Sequence, residues 1–339
     1  MKTIDGDKII IYVVSIALLV AFVPILSKLP RTKGKNVICH AVYLGVMAAT
    51  LFLLPEFIQD EIFSPGGIVI VGTLLPVYES IRAACTPSES DDRIWLQYWI
   101  ASGILSYTTE FIDDINVYFP QGGEHWYEFE FFLTIWLMFP LTDGASLIYN
   151  VVTEPYLTPL AQRIQLKVEG WIALILAAVN TGYLSFVWFL FMTFPEEQRR
   201  FFVVALGTVY PMAASTMAIT TNNKDTRGKM ETHDETFWLT YWSCFSLLFL
   251  AMDYLENFVG SIPGSYSVCL LTTLYLFLPM FDGANVVFRR ILVPLTGQYE
   301  NLLLHDAYLV RKGMEKSIPV KYHDRVFSKA AEIFATKKD

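Results

Sequence analysis

The sequence predicts an all-α polytopic membrane protein with about nine hydrophobic helices, eight of them in two parallel four-segment repeats, plus a C-terminal amphipathic helix. Three observations predict it. Of 339 residues, 54% are hydrophobic and 17% charged, with a mean hydropathy of +0.41, where soluble chains carry about a quarter charged residues. The apolar residues gather into runs close to the ~20 residues a helix needs to cross hydrocarbon. A phrase also recurs: FPLTDGASLIYN at Phe139–Asn150 and LPMFDGANVVFR at Leu278–Arg289, each closing an apolar run.

The runs fall near 8–26, 37–57, 67–84, 94–119, 126–150, 170–194, 201–221, 237–259 and 266–288. They are continuous rather than alternating, and a spanning helix satisfies its own backbone, so helices are expected. The first run lacks a clean small-residue cleavage site and reads as a signal-anchor helix. The loop 27–36 holds four cations and no acid, which places it on the cytoplasmic side or its equivalent. Counting onward puts 58–66 on the opposite side and returns the tail, with Arg289 and Arg290 and ten cations against six acids, to the inside.

Landmarks recur in one order. GTLLPVYES from Gly72 matches GTVYPMAAS from Gly207, and the stretch from Ile94 matches that from Phe237. Then come Pro140, Asp143, Gly144, Ala145 against Pro279, Asp282, Gly283, Ala284, followed by Pro155 and Pro294. Ordered landmarks mean tandem duplication. The expected units are an anchor and basic loop (1–36), a first unit (37–156), a second, diverged unit (157–297) and a basic tail (298–339).

These landmarks resemble the receptor expression-enhancing and deleted-in-polyposis family of membrane proteins, which includes plant abscisic-acid-induced members. The resemblance rests on Gly72, Pro76, Tyr78, Ser80 and Arg82-Ala83, then Trp95, Leu96, Tyr98 and Trp99. It continues through Glu110, Asp114, Phe119 and Pro120 to Pro140, Gly144, Ala145, Leu147, Tyr149 and Pro155. The second unit keeps Tyr210, Pro211, Ser215, Leu239, Tyr241, Trp242, Gly283 and Ala284, while the acidic pair drifts to Asp253 and Asn257. The resemblance covers about 67–156 and, more weakly, 202–296. It implies helical hairpins that insert into the endoplasmic reticulum membrane, assemble and curve it.

Several features admit two accounts. Glu110, Asp113 and Asp114 share a helical face by their spacing; they form a proton or cation path, or they cap and pair near a polar boundary. The Asp-Gly-Ala phrases contact a ligand, or they let helices approach closely with the Asp satisfying a broken turn. If the chain kinks at Thr142–Gly144, the segment from Glu128 is partial; if it continues as helix to Val152, it spans. Trp95, Trp99, Trp238 and Trp242 suit interfacial anchoring. In the tail, Tyr322, Val326, Phe327, Ile333 and Phe334 form an apolar stripe with Arg325 and Lys329 elsewhere, fitting a helix on the membrane surface or packed on another subunit.

The net charge of −8 argues against nucleic acid. Five dispersed histidines and four scattered cysteines suggest no metal site, and no cofactor or catalytic constellation is expected. The expected partners are the lipid bilayer and either further copies or other membrane-protein subunits. The leading expectation is a non-catalytic protein of the reticulum that shapes membrane. The alternatives are an accessory subunit of a large complex, for example in the mitochondrial inner membrane, and a transporter.

Overall fold

A computed structural model describes residues 37–86, 89–116, 126–164, 184–222, 235–259, 265–278 and 281–317, with isolated positions 170, 173, 177 and 181. The expected first segment, Pro279, and the stripe from Tyr322 to Phe334 lie outside the described residues. Every regular element among the described residues is helical.

The first copy opens with α1 (Val37–Leu53) and α2 (Glu56–Ile62). Pro55 ends α1, because it has no N–H to continue the ladder. Ser64-Pro65 then starts α3 (Pro65–Ala84): the Ser64 hydroxyl accepts from the Gly67 N–H at 3.2 Å, and Pro65 fits the first helical turn. α4 (Glu89–Asn116) has 28 residues, α5 (Trp126–Met138) only 13. α6 starts at Gly144–Ile148 and runs on through Tyr149–Leu157.

The second copy follows this order with the counterparts of α2 and α3 joined in one helix, as α7 (Leu184–Thr193), α8 (196–222), α9 (Glu235–Val259) and α10 (Ser265–Phe277). α11 (Gly283–Val287, continuing to Thr296) and α12 (Tyr299–Ser317) close the described chain. The expected segments 126–150 and 266–288 are therefore not single helices; each breaks at its Asp-Gly. Among the described residues, two helices are long and apolar enough to cross a membrane, Pro65–Ala84 and Phe201–Thr220, and they are equivalent in the two copies.

At the centre, α3 and α4 pack against α8 and α9. Leu96, Ile100 and Leu239 are fully buried there, and one continuous apolar core joins Ile81, Trp99 and Tyr149 of the first copy to Ile219, Trp242 and Phe288 of the second. The outer faces of α1 and α7 instead carry exposed Ile38, Val42, Val46, Phe186 and Phe189, the surface expected of helices facing lipid.

Candidate functional site: matched helix clamps and the seam between them

Among the described residues, five prolines lie in helix interiors, and each sits in or just after a widened π-helical turn: Pro76 after Ile70–Leu74, Pro155 within and Pro159 just after Tyr149–Leu157, Pro211 after Ala205–Val209 and Pro294 after Phe288–Leu292. A proline cannot donate to the carbonyl four residues back, and its ring crowds that carbonyl; widening the preceding turn relieves the crowding. For Pro76 that carbonyl belongs to Gly72, and for Pro211 to Gly207. Both are satisfied from the next helix of the same copy. The Tyr98 hydroxyl donates to the Gly72 carbonyl at 2.8 Å, and the Tyr241 hydroxyl to the Gly207 carbonyl at 2.7 Å.

One residue on, the indole of Trp99 donates to the Ser80 hydroxyl at 2.9 Å and that of Trp242 to Ser215 at 3.0 Å. Trp95 lies edge-on to Tyr98, and Trp238 edge-on to Tyr241. Thus Gly, Pro, Ser, Trp, Tyr and Trp form one clamp holding α3 to α4, and again α8 to α9. Tyr78 has no place in it: it is exposed, and its counterpart by the Gly72–Gly207 match is the buried Ala213.

The Asp-Gly-Ala phrases make a turn. Asp143 and Asp282 have φ of 46° and 48°, the two non-glycine residues with positive φ among the described residues, a conformation Asp tolerates better than most side chains. Ser146 donates to the Asp143 carboxylate at 2.9 Å, and Asn285 to that of Asp282 at 2.6 Å. The buried Thr142 hydroxyl caps α5 by donating to the Trp136 carbonyl at 2.7 Å. The glycines permit close approach: a Cβ on Gly144 would lie 2.5 Å from the Trp136 ring, and one on Gly283 2.3 Å from the Tyr275 carbonyl oxygen. Pro140, Ala145 and Ala284 are buried around these turns.

The two copies meet at a seam. The Trp99 and Trp242 rings stack there, with centroids 6.3 Å apart and planes 4° from parallel, an offset stack. Arg93 donates to Glu235 at 2.9 Å, and the Thr236 hydroxyl donates to Asp92. Glu235 and Asp92 are both 3% exposed, and buried carboxylates are costly unless partnered in this way. The Tyr149 hydroxyl reaches the Thr216 carbonyl at 3.5 Å and Thr220 at 3.4 Å.

Glu110, Asp113 and Asp114 lie on helical backbone near the end of α4, and Asp253 near the end of α9; their side chains lie outside the described residues. The four cysteines form no disulfide; three are buried and Cys39 is half-buried. Among the described residues no cluster of His, Cys, Asp and Glu could hold a metal ion.

Sequence reasoning missed the seam pairs, the widened turns and α12. It also missed a landmark that was legible: Pro55-Glu56 and Pro195-Glu196, each starting a helix straight after an apolar one. α12 is held by Arg289, whose guanidinium donates to both carboxylate oxygens of Asp306 at 2.8 Å. That hydrogen bond and the charge of Arg289 hold the Asp306 carboxyl below the usual carboxylate range.

The profile of the TB2/DP1, HVA22 family matches this chain twice, at residues 76–156 and 211–295. Each match runs from the clamp proline to one residue past the proline after the Asp-Gly turn. Protein yop-1 of Neurospora crassa is 31% identical over 137 residues, 40% of this chain and 73% of that protein. Protein YOP1 of Mycosarcoma maydis is 31% identical over 86 residues, 25% of this chain and 48% of that one. Receptor expression-enhancing protein 4 of Xenopus laevis is 31% identical over 126 residues, 37% of this chain and 44% of that one. The match thus spans about half the length of several relatives. No solved structure matches. The chain belongs to the TB2/DP1, HVA22 family, with the family domain present in tandem.

Proposed function

We propose that this chain is a non-catalytic membrane-shaping protein of the endoplasmic reticulum, with two hairpin units, 37–156 and 157–297, that add volume unequally to the two leaflets. The observation that carries this reading is the break at the Asp-Gly turns. α5 and α10 have 13 residues each, about 20 Å of helix, and the hydrocarbon core is ~30 Å thick. A hairpin whose return arm is too short to cross displaces more lipid on one side. The clamps hold each short arm's partner helices rigid, and family membership supports the same role. The stripe from Tyr322 to Phe334 would add an interfacial helix on the cytoplasmic side. The bilayer and further membrane proteins are its partners in this reading.

Reconstitution of the purified protein tests it. Round liposomes are expected to become tubules as the protein-to-lipid ratio rises, seen by electron microscopy. Vesicles that stay round at every ratio, with the protein inserted, would overturn the proposal.

A further inference from the structure

Equivalent positions of the two copies meet across the seam in exchanged order. Matching Trp99 to Trp242 is a shift of 143 (242 − 99), which matches Asp92 to Glu235 and Arg93 to Thr236. In the fold, Arg93 bonds to Glu235, and Thr236 bonds to Asp92. Position 93 of each copy therefore meets position 92 of the other. Trp99 stacks on its own counterpart. The same exchange holds further out: Tyr149–Leu157 lies against Tyr210–Asn222, and Val293–Thr296 against Leu75–Ala84. Reciprocal contacts of this kind define an isologous interface around a two-fold axis, whereas a head-to-tail contact sets unlike patches together.

We infer that the seam is a two-fold pairing surface by which one repeat recognises another, and that this chain fills it internally, so that one polypeptide is a complete paired unit. The chemistry of the face fits a second copy of the chain as well. Two first repeats brought together would form the Asp92–Arg93 pair twice, where the internal pairing forms one ion pair and one hydroxyl bond. The covalent connection decides between them. It presents the second repeat to the first at an effective concentration of about millimolar order, above that reached by separate chains. This inference deepens the membrane-shaping reading but does not depend on it: held repeats with unchanged vesicles would remove that reading and leave this one standing.

The test is a disulfide across the seam in the full chain. Asp92→Cys and Thr236→Cys are introduced together, with a protease site inserted between residues 165 and 169. After oxidation and cleavage, the two fragments are expected to run as one species on a non-reducing gel and to separate on reduction. Either single-cysteine chain should separate without reduction. A covalent dimer of uncut chains as the main product would overturn the internal filling, and absence of any disulfide would overturn the seam. Charge exchange gives a second readout. After cleavage, Arg93→Glu alone and Glu235→Arg alone should let the fragments part in size-exclusion chromatography, and the double exchange should restore co-elution. Failure of the double exchange to restore it would overturn the reciprocal register.

Discussion

Tyr98 and Tyr241 each answer a defect that a proline makes one helix away. Removing the hydroxyl leaves the Gly72 or Gly207 carbonyl without that donor. Membrane interhelical hydrogen bonds average ~0.6 kcal/mol, and an orphaned buried acceptor costs ~1–3 kcal/mol, so Tyr98→Phe should lose about 1 kcal/mol in detergent unfolding. Pro76→Ala returns an N–H four residues from Gly72, so Pro76→Ala with Tyr98→Phe should lose less than the sum of the two. Additive losses would remove the proline–tyrosine account. The turn glycines differ in a testable way. The obstacle at Gly144 is the Trp136 ring, which can shift, while at Gly283 it is the backbone oxygen of Tyr275. Gly283→Ala should therefore cost more than Gly144→Ala, with the larger loss near ~3 kcal/mol. Equal midpoints would contradict this.

At the scale of elements, the sequence carried the repeated helical segments but not their lengths. The runs 126–150 and 266–288 read as near-complete spans because Pro and Gly are tolerated inside membrane helices. Their break depends on Asp143 and Asp282 taking a left-handed conformation, which the packing of Trp136 and Tyr275 on the adjacent glycines holds in place. α12 gives an element-scale prediction. Its tie is the Arg289–Asp306 pair, 49% and 34% exposed, so it is worth up to about 1 kcal/mol even with ideal geometry. The Asp306 carboxyl is depressed in the folded state. Its contribution is present above the unfolded carboxylate value and lost as pH falls through the lower folded value. Hydrogen exchange in Tyr299–Ser317, taken relative to the intrinsic amide rate at each pH, should rise on acidification. In Asp306→Asn it should be raised already at neutral pH and lose that acid-induced increase. A variant that keeps the increase would show another group to be responsible.

At the scale of the whole molecule, a chain whose pairing face is filled internally should not need a second copy to be stable. In mild detergent, the smallest native particle should contain one chain, with larger self-assemblies built from it through the outer faces. Native mass spectrometry checks this; an obligate two-chain minimum would contradict it. A single band at the mass of a large unrelated complex would instead make the chain a subunit of that complex.

The sequence by itself determined the membrane class, the duplication and the family. Apolar run length and repeated landmarks are properties of the chain alone. The clamp residues were legible as motif positions, since Gly72, Pro76, Tyr98 and Trp99 recur as Gly207, Pro211, Tyr241 and Trp242. Their purpose was not legible, because a missing N–H on one helix and a hydroxyl on the next become partners only when the helices pack. Tertiary structure alone decided that Arg93 faces Glu235 while Asp92 faces Thr236. A tandem repeat states that two units are alike; which face of one meets which face of the other is set by burial and charge pairing across the seam.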